Sequence, residues 1–187
     1  MSRLDQLIAA YRRHSSIPLK PGLPIAERVW FLVYPPEDER RLRNRIAEFE
    51  IATLDEGLSW REIDFSRSFA EWMDTFEDEE ERIDCLKEPE ITENYAEPGF
   101  SEFLAAKIQK VADEVDPSRI ERTVFAITGL LELYDFIHVS DILEELGKDV
   151  RGILLLFFPG ERDNNSYKFI GARTGWNYLA TPITLEP

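Results

Sequence analysis

The chain has 187 residues, enough for one domain, or one domain with an appendage, at about 150 residues per domain. Its 43% hydrophobic content supplies a core and excludes wholesale disorder. The longest apolar run, Ile153–Phe158, is far short of the ~20 residues that span a bilayer. A formal net charge of −15, from 37 acids and 22 bases, excludes a broadly basic nucleic-acid binder.

Leu4, Leu7, Ile8 and Tyr11 recur at helical spacing and predict an amphipathic helix over residues 3–14. Pro18, Pro21-Gly22 and Pro24 make the next segment an extended connector. Arg28–Tyr34 is aromatic and β-branched and reads as a strand buried on both faces, closed by Pro35-Pro36. Glu37-Asp38-Glu39 opens a long helical pattern, with acids where the helix dipole favours them and an inner face of Leu42, Ile46, Phe49 and Thr53-Leu54. Its basic segment, Arg40–Arg45, reads as a solvated face in which Arg41 and Arg45 reach Glu37 and Glu48.

Leu58–Asp64 alternates apolar and polar residues, as a strand near the sheet edge does, and Ser66 is the expected cap of a helix carrying Phe69, Trp72, Met73 and Phe76. Between Glu71 and Glu102 thirteen acids face only Arg82 and Lys87, so this stretch carries −11 and the remainder of the chain −4. It reads as an acidic insertion, either partly helical around Glu79–Lys87 or partly mobile. Phe103, Leu104, Ile108, Val111 and Val115 mark a further amphipathic helix. Thr123–Gly129 is a second buried strand, followed by a helical turn at Leu130–Tyr134 and a short helix through Ile142, Leu143 and Leu146. Val150–Phe158 is the strongest strand, closed by Pro159-Gly160. Two short edge strands are expected after a polar loop, at Tyr167–Gly171 and Tyr178–Ile183.

Strands alternating with helices predict an α/β fold: a three-layer sandwich with a mainly parallel sheet, helices on both faces and short C-terminal edge strands. Residues 1–27 form an N-terminal helix and Pro-rich connector. Residues 28–187 form a single α/β domain with the acidic insertion around 71–102. Met1-Ser2-Arg3-Leu4-Asp5 lacks the basic and apolar regions of a secretory leader, and the single Cys85 makes no intrachain disulfide, so a cytoplasmic protein away from membranes is expected.

Ligands of open α/β sheets sit beyond the carboxyl ends of the strands, here Tyr34-Pro35-Pro36, Asp64, Gly129 and Pro159-Gly160-Glu161. Pro35-Pro36 offers no N–H to a phosphate, and the three acids after it repel one, which argues against a dinucleotide or P-loop site. His14 and His138 are the two histidines, and neither stands in a zinc-binding spacing. Cys85 lies among acids that suppress its thiolate. No catalytic residue, metal site or cofactor is assigned. Trp30, Trp60 and Trp72 read as core, whereas Trp176, between Gly175 and Asn177, is the tryptophan suited to be a contact anchor.

The run Arg28–Glu39 resembles the first strand and helix start of the BrxB family of bacterial BREX phage-exclusion systems. The resemblance continues through Val124–Gly129, Leu133–Ser140, Leu143–Leu146, Leu154–Glu161 and Asn177–Ile183, with the acidic middle unmatched. Asp135-Phe136-Ile137-His138 stands where a Pro-Phe-Arg-like turn is expected. The resemblance implies a small anti-phage defence component without a recognised enzymatic motif, working beside a methyltransferase, an ATPase and a PglZ alkaline-phosphatase-like protein.

The leading reading is a non-catalytic adaptor docking on a larger defence-complex subunit such as the PglZ-like protein. Its expected surface is Asp135, Phe136 and His138 with Pro159, Gly160 and Glu161 and with Trp176 and Tyr178. The alternative is a small-ligand or nucleotide-binding module with a pocket at Asp64, Gly129 and Gly160. A metal-dependent nuclease using Asp64, Asp135 and Glu161 is the weakest reading. Direct nucleic-acid binding is not expected.

Overall fold

The computed structural model describes residues 2–80, 82–83, 96–133, 139, 142–143, 151–163, 166–169 and 180–185. Helix α1 (Arg3–Ser15) is followed by the connector and a four-residue α2 (Ile25–Arg28), which runs into β1 (Val29–Tyr34). A 3-10 turn at Pro36–Asp38, α3 (Glu39–Arg43) and α4 (Ile46–Asp55) lead to β2 (Ser59–Asp64). Then come α5 (Ser68–Met73), α6 (Ala96–Asp113), β3 (Thr123–Thr128), a 3-10 turn at Leu130–Leu133, β4 (Ile153–Asp163), β5 (Ser166–Phe169) and β6 (Thr181–Ile183).

The sheet order is β2-β3-β4-β1-β6, every neighbouring pair parallel, with β5 antiparallel to the end of β4. This is the expected α/β sandwich. The chain travels from β1 to the far edge at β2 over α3 and α4, then returns to β3 over α5 and α6. A constant crossover hand requires those two excursions to cover opposite faces.

The alternation of the strands sorts the core accordingly. Phe31, Val33, Phe125, Ile127, Leu154, Leu156 and Phe158 pack beneath α5 and α6. Trp30, Leu32, Tyr34, Val124, Ala126, Leu155 and Phe157 pack beneath α1 and α4. All six residues of β1 and all six of β3 are buried, as strands covered on both faces must be. Trp30, Trp60 and Trp72 are core residues, 2%, 6% and 8% exposed. Helix α1 is held to α4 by a 2.5 Å hydrogen bond between the buried Tyr11 hydroxyl and Thr53 Oγ1.

Four local expectations are corrected. The pattern after Glu37 is not one helix: it breaks at Asn44-Arg45, where Arg45 pairs with the expected Glu48 at 2.5 Å and also with Asp5 at 2.8 Å. Leu54 is 52% exposed, because the helix turns Thr53 rather than Leu54 inward. Ser66 caps no helix; α5 starts two residues later, and Ser66 serves the turn after β2. Pro159-Gly160 does not close β4. Tyr34↔Pro159 is the last parallel pair with β1, and β4 then continues by exchanging partners, Gly160↔Phe169 through Asp163↔Ser166. Proline ends a ladder on the side where its missing N–H is needed, but a strand can go on against a different neighbour. Residues 81 and 84–95 of the acidic insertion lie outside the described residues. Where it is described, Glu71, Asp74 and Glu77–Glu80 are all exposed.

Candidate functional site

Asp64 and Thr128 end adjacent strands in register, and the backbone N–H of Phe65 donates to Thr128 O at 2.9 Å, which pins the turn after β2 against β3. The Asp64 carboxylate accepts from Ser66 N and Ser66 Oγ, both at 2.9 Å, and from Arg43 Nη2 at 3.1 Å. The first two form the local turn that aspartate favours. Arg43, from α3, also lies 3.7 Å from Glu39 and 3.8 Å from Glu132, so one guanidinium serves three carboxylates. Glu39 in turn accepts the Tyr34 hydroxyl. Lys107 reaches over from α6 to Asp64 O at 3.1 Å, Ser68 Oγ at 3.0 Å and Glu71 at 2.7 Å. Its ammonium stands 5.9 Å from the Phe65 ring centre, within cation–π range.

The electrostatics follow from this geometry. Partial burial pulls the Asp64 carboxyl upward, but the Ser66 hydrogen bonds and the Arg43 and Lys107 charges together outweigh it and hold it below its ordinary value. Glu62, on the same strand, is raised by burial and by the neighbouring Asp64 charge. Tyr34 is raised well above the phenol range, first by burial and then by the Glu39 carboxylate.

Gly129 completes the cluster with φ +77°. A Cβ there would stand 2.4 Å from Ser66 N and 2.7 Å from Asp64 Oδ1. Asp64 and Gly129 stand side by side, and the space that glycine leaves is filled by the chain's own turn. Gly160 belongs to a different close approach: its Cβ would meet Lys168 O at 2.2 Å across the β4–β5 ribbon. The arrangement works as a clamp joining α3, β2, β3 and α6 at the carboxyl end of the sheet. Among the described residues no group of three or more His, Cys, Asp or Glu side chains is placed to hold a metal ion.

Of the expected interaction residues, Pro159 and Gly160 are buried and Glu161 is exposed, as is Arg162 beside it. Asp135, Phe136, His138, Trp176 and Tyr178 lie outside the described residues, as do Tyr134 and Cys85. His14 sits edge-on to Trp30 with ring centres 4.4 Å apart, and burial lowers its imidazole below the ordinary value.

Sequence reasoning missed a pair of clefts at the opposite, amino end of the sheet. One, about 180 Å³, lies among Lys20, Leu23, Arg28, Glu121 and Arg151; the other, about 270 Å³, lies among His14, Ile17, Pro18 and Trp30. Leu19, Lys20 and Leu23 line both. The signal available in the sequence was the connector itself, whose prolines prevent it from packing as a helix and leave it arched over the strand starts.

No described helix is long and apolar enough to cross a membrane. The family model described as BREX protein BrxB matches residues 63–181. No curated protein and no solved structure matches the chain.

Proposed function

Because the chain belongs to the BrxB family, and is thus a component of a BREX anti-phage defence system, we propose that it acts as a non-catalytic adaptor within a multi-protein complex, docking on a larger subunit of PglZ-like type. The observation that carries this reading is the β4–β5 ribbon. β4 has eleven residues against six each in β1 and β3. Its last four, Gly160–Asp163, pass beyond Tyr34, the last β1 residue in register, and pair with β5. Tyr167, the partner of Arg162 in the ribbon, anchors it: its ring packs 4.8 Å from Phe31 and 6.0 Å from Phe158. Glu161 and Arg162 are exposed along it. Consecutive strand residues point to opposite faces, so the ribbon offers an acid on one face and a base on the other, an arrangement suited to fixing the register of a docked protein.

The carboxyl-end cluster supports the same reading, since its charges satisfy one another and Gly129 leaves no vacant phosphate cradle. Asp135, Phe136, His138, Trp176 and Tyr178 are proposed to extend the docking surface; all five fall within the matched region, as does the ribbon.

Charge reversal on the ribbon tests this. The Glu161→Lys, Arg162→Glu double variant is expected to fold normally and to lose co-purification with the larger BREX component. Undiminished co-purification removes the ribbon from the interface.

A further inference from the structure

We propose that the two amino-end clefts form one binding site for a small organic anion, its acidic head among Lys20, Arg28 and Arg151 and its apolar body along Leu19, Leu23 and Ile17. Three cations face one acid, Glu121, in the smaller cleft, although the chain as a whole has 37 acids against 22 bases. Arg28 is positioned in advance. Its Nε donates to Leu23 O at 3.0 Å and its Nη1 to Gly152 O at 3.3 Å, tying the connector to the start of β4 and holding the guanidinium at the cleft floor. Such a fixed donor loses little freedom when a ligand arrives.

Lys20 and Arg151 are both exposed at the rim, and neither has an ion-pair or hydrogen-bond partner among the described residues. Burial disfavours the Arg28 cation, with Glu121 offsetting it in part. An anion between the three bases would offset it further.

The volume suits a head group and little more. About 180 Å³ corresponds to some six water molecules at ~30 Å³ each. The adjoining cleft, about 270 Å³, has apolar walls of Ile17, Pro18, Leu19 and Trp30, with Ile17 58% exposed, and its one acid is the exposed Glu27. A ligand reaching both clefts joins a phosphate or carboxylate to a compact apolar or aromatic body. The connector supplies the shared wall, turning at Gly22 with φ +70°.

The test is titration of the full chain by calorimetry with inorganic phosphate, phenyl phosphate and benzoate, repeated on the Lys20→Ala, Arg151→Ala double variant and on Arg40→Ala as a remote exposed control. Saturable binding is expected, about tenfold tighter for phenyl phosphate or benzoate than for inorganic phosphate, and weakened about tenfold or more in the double variant but not in Arg40→Ala. The tighter of the two aromatic probes identifies the head group. Absence of saturable binding overturns the proposal. So does equal binding by the double variant, which would mark a general salt effect, and so does equal affinity for phosphate and the aromatic probes, which would remove the apolar half of the site.

Discussion

Gly129 is the residue on which the carboxyl-end clamp depends most. Its positive φ and the 2.4 Å approach of Ser66 N to a Cβ placed there act together, so Gly129→Ala must both strain the backbone and push the Asp64–Ser66 turn away from β3. The expected loss is roughly 2–4 kcal/mol in urea unfolding. Glu62 gives the opposite sign. Its carboxyl is raised in the folded chain by burial and by Asp64, so its ionisation opposes folding. The fold is best served by this group below its unfolded pKa and loses that advantage as pH rises from there through the higher folded pKa. Glu62→Gln is therefore expected to raise stability modestly at pH 7, the difference vanishing below about pH 4, where glutamate is protonated. Denaturant midpoints of the two proteins across pH check this. The importance of Asp64 and Gly129 was legible from their places at strand ends, but their role was not. Only the fold shows that Arg43, twenty-one positions before Asp64, neutralises it, and that Ser66 fills the glycine's space.

At the scale of elements, β1 and β3 were legible because a strand covered on both faces must be continuously apolar, and the helix α1 because a strand-like period cannot place Leu4, Leu7, Ile8 and Tyr11 on one side. The break between α3 and α4 left no such trace, since no glycine or proline marks Asn44-Arg45 and the interruption is held by Arg45 bridging Asp5 and Glu48. The extension of β4 was concealed by Pro159-Gly160, a pair that ordinarily ends a strand. Here proline ends pairing with β1, and glycine admits Lys168 O from β5. Gly160→Ala is accordingly expected to detach the ribbon while leaving the central sheet intact. Hydrogen exchange checks this: the amides that bond across the ribbon, within Gly160–Asp163 and Ser166–Phe169, should exchange at least about tenfold faster, with Phe31 and Leu156 still protected.

At the scale of the molecule, the charge is unevenly placed. The Glu71–Glu102 stretch holds −11 of the net −15, and its described acids Glu71, Asp74, Glu77–Glu80 and Glu102 carry their charge at the surface. The family model begins at Ile63 and ends at Thr181, spanning the end of β2, the return across the sheet and the ribbon. The amino-end clefts are built largely from the connector before that region, so the proposed docking ribbon and the proposed anion site lie at opposite ends of one sheet and can be tested independently.

The adaptor reading is tested most directly by tagging this chain in cells that carry the neighbouring BREX genes, purifying it under native conditions and identifying what accompanies it by mass spectrometry. The account predicts stoichiometric recovery of a larger PglZ-like component, lost in the Glu161→Lys, Arg162→Glu variant. Recovery of this chain alone, at expression levels where the other components are present, would contradict it.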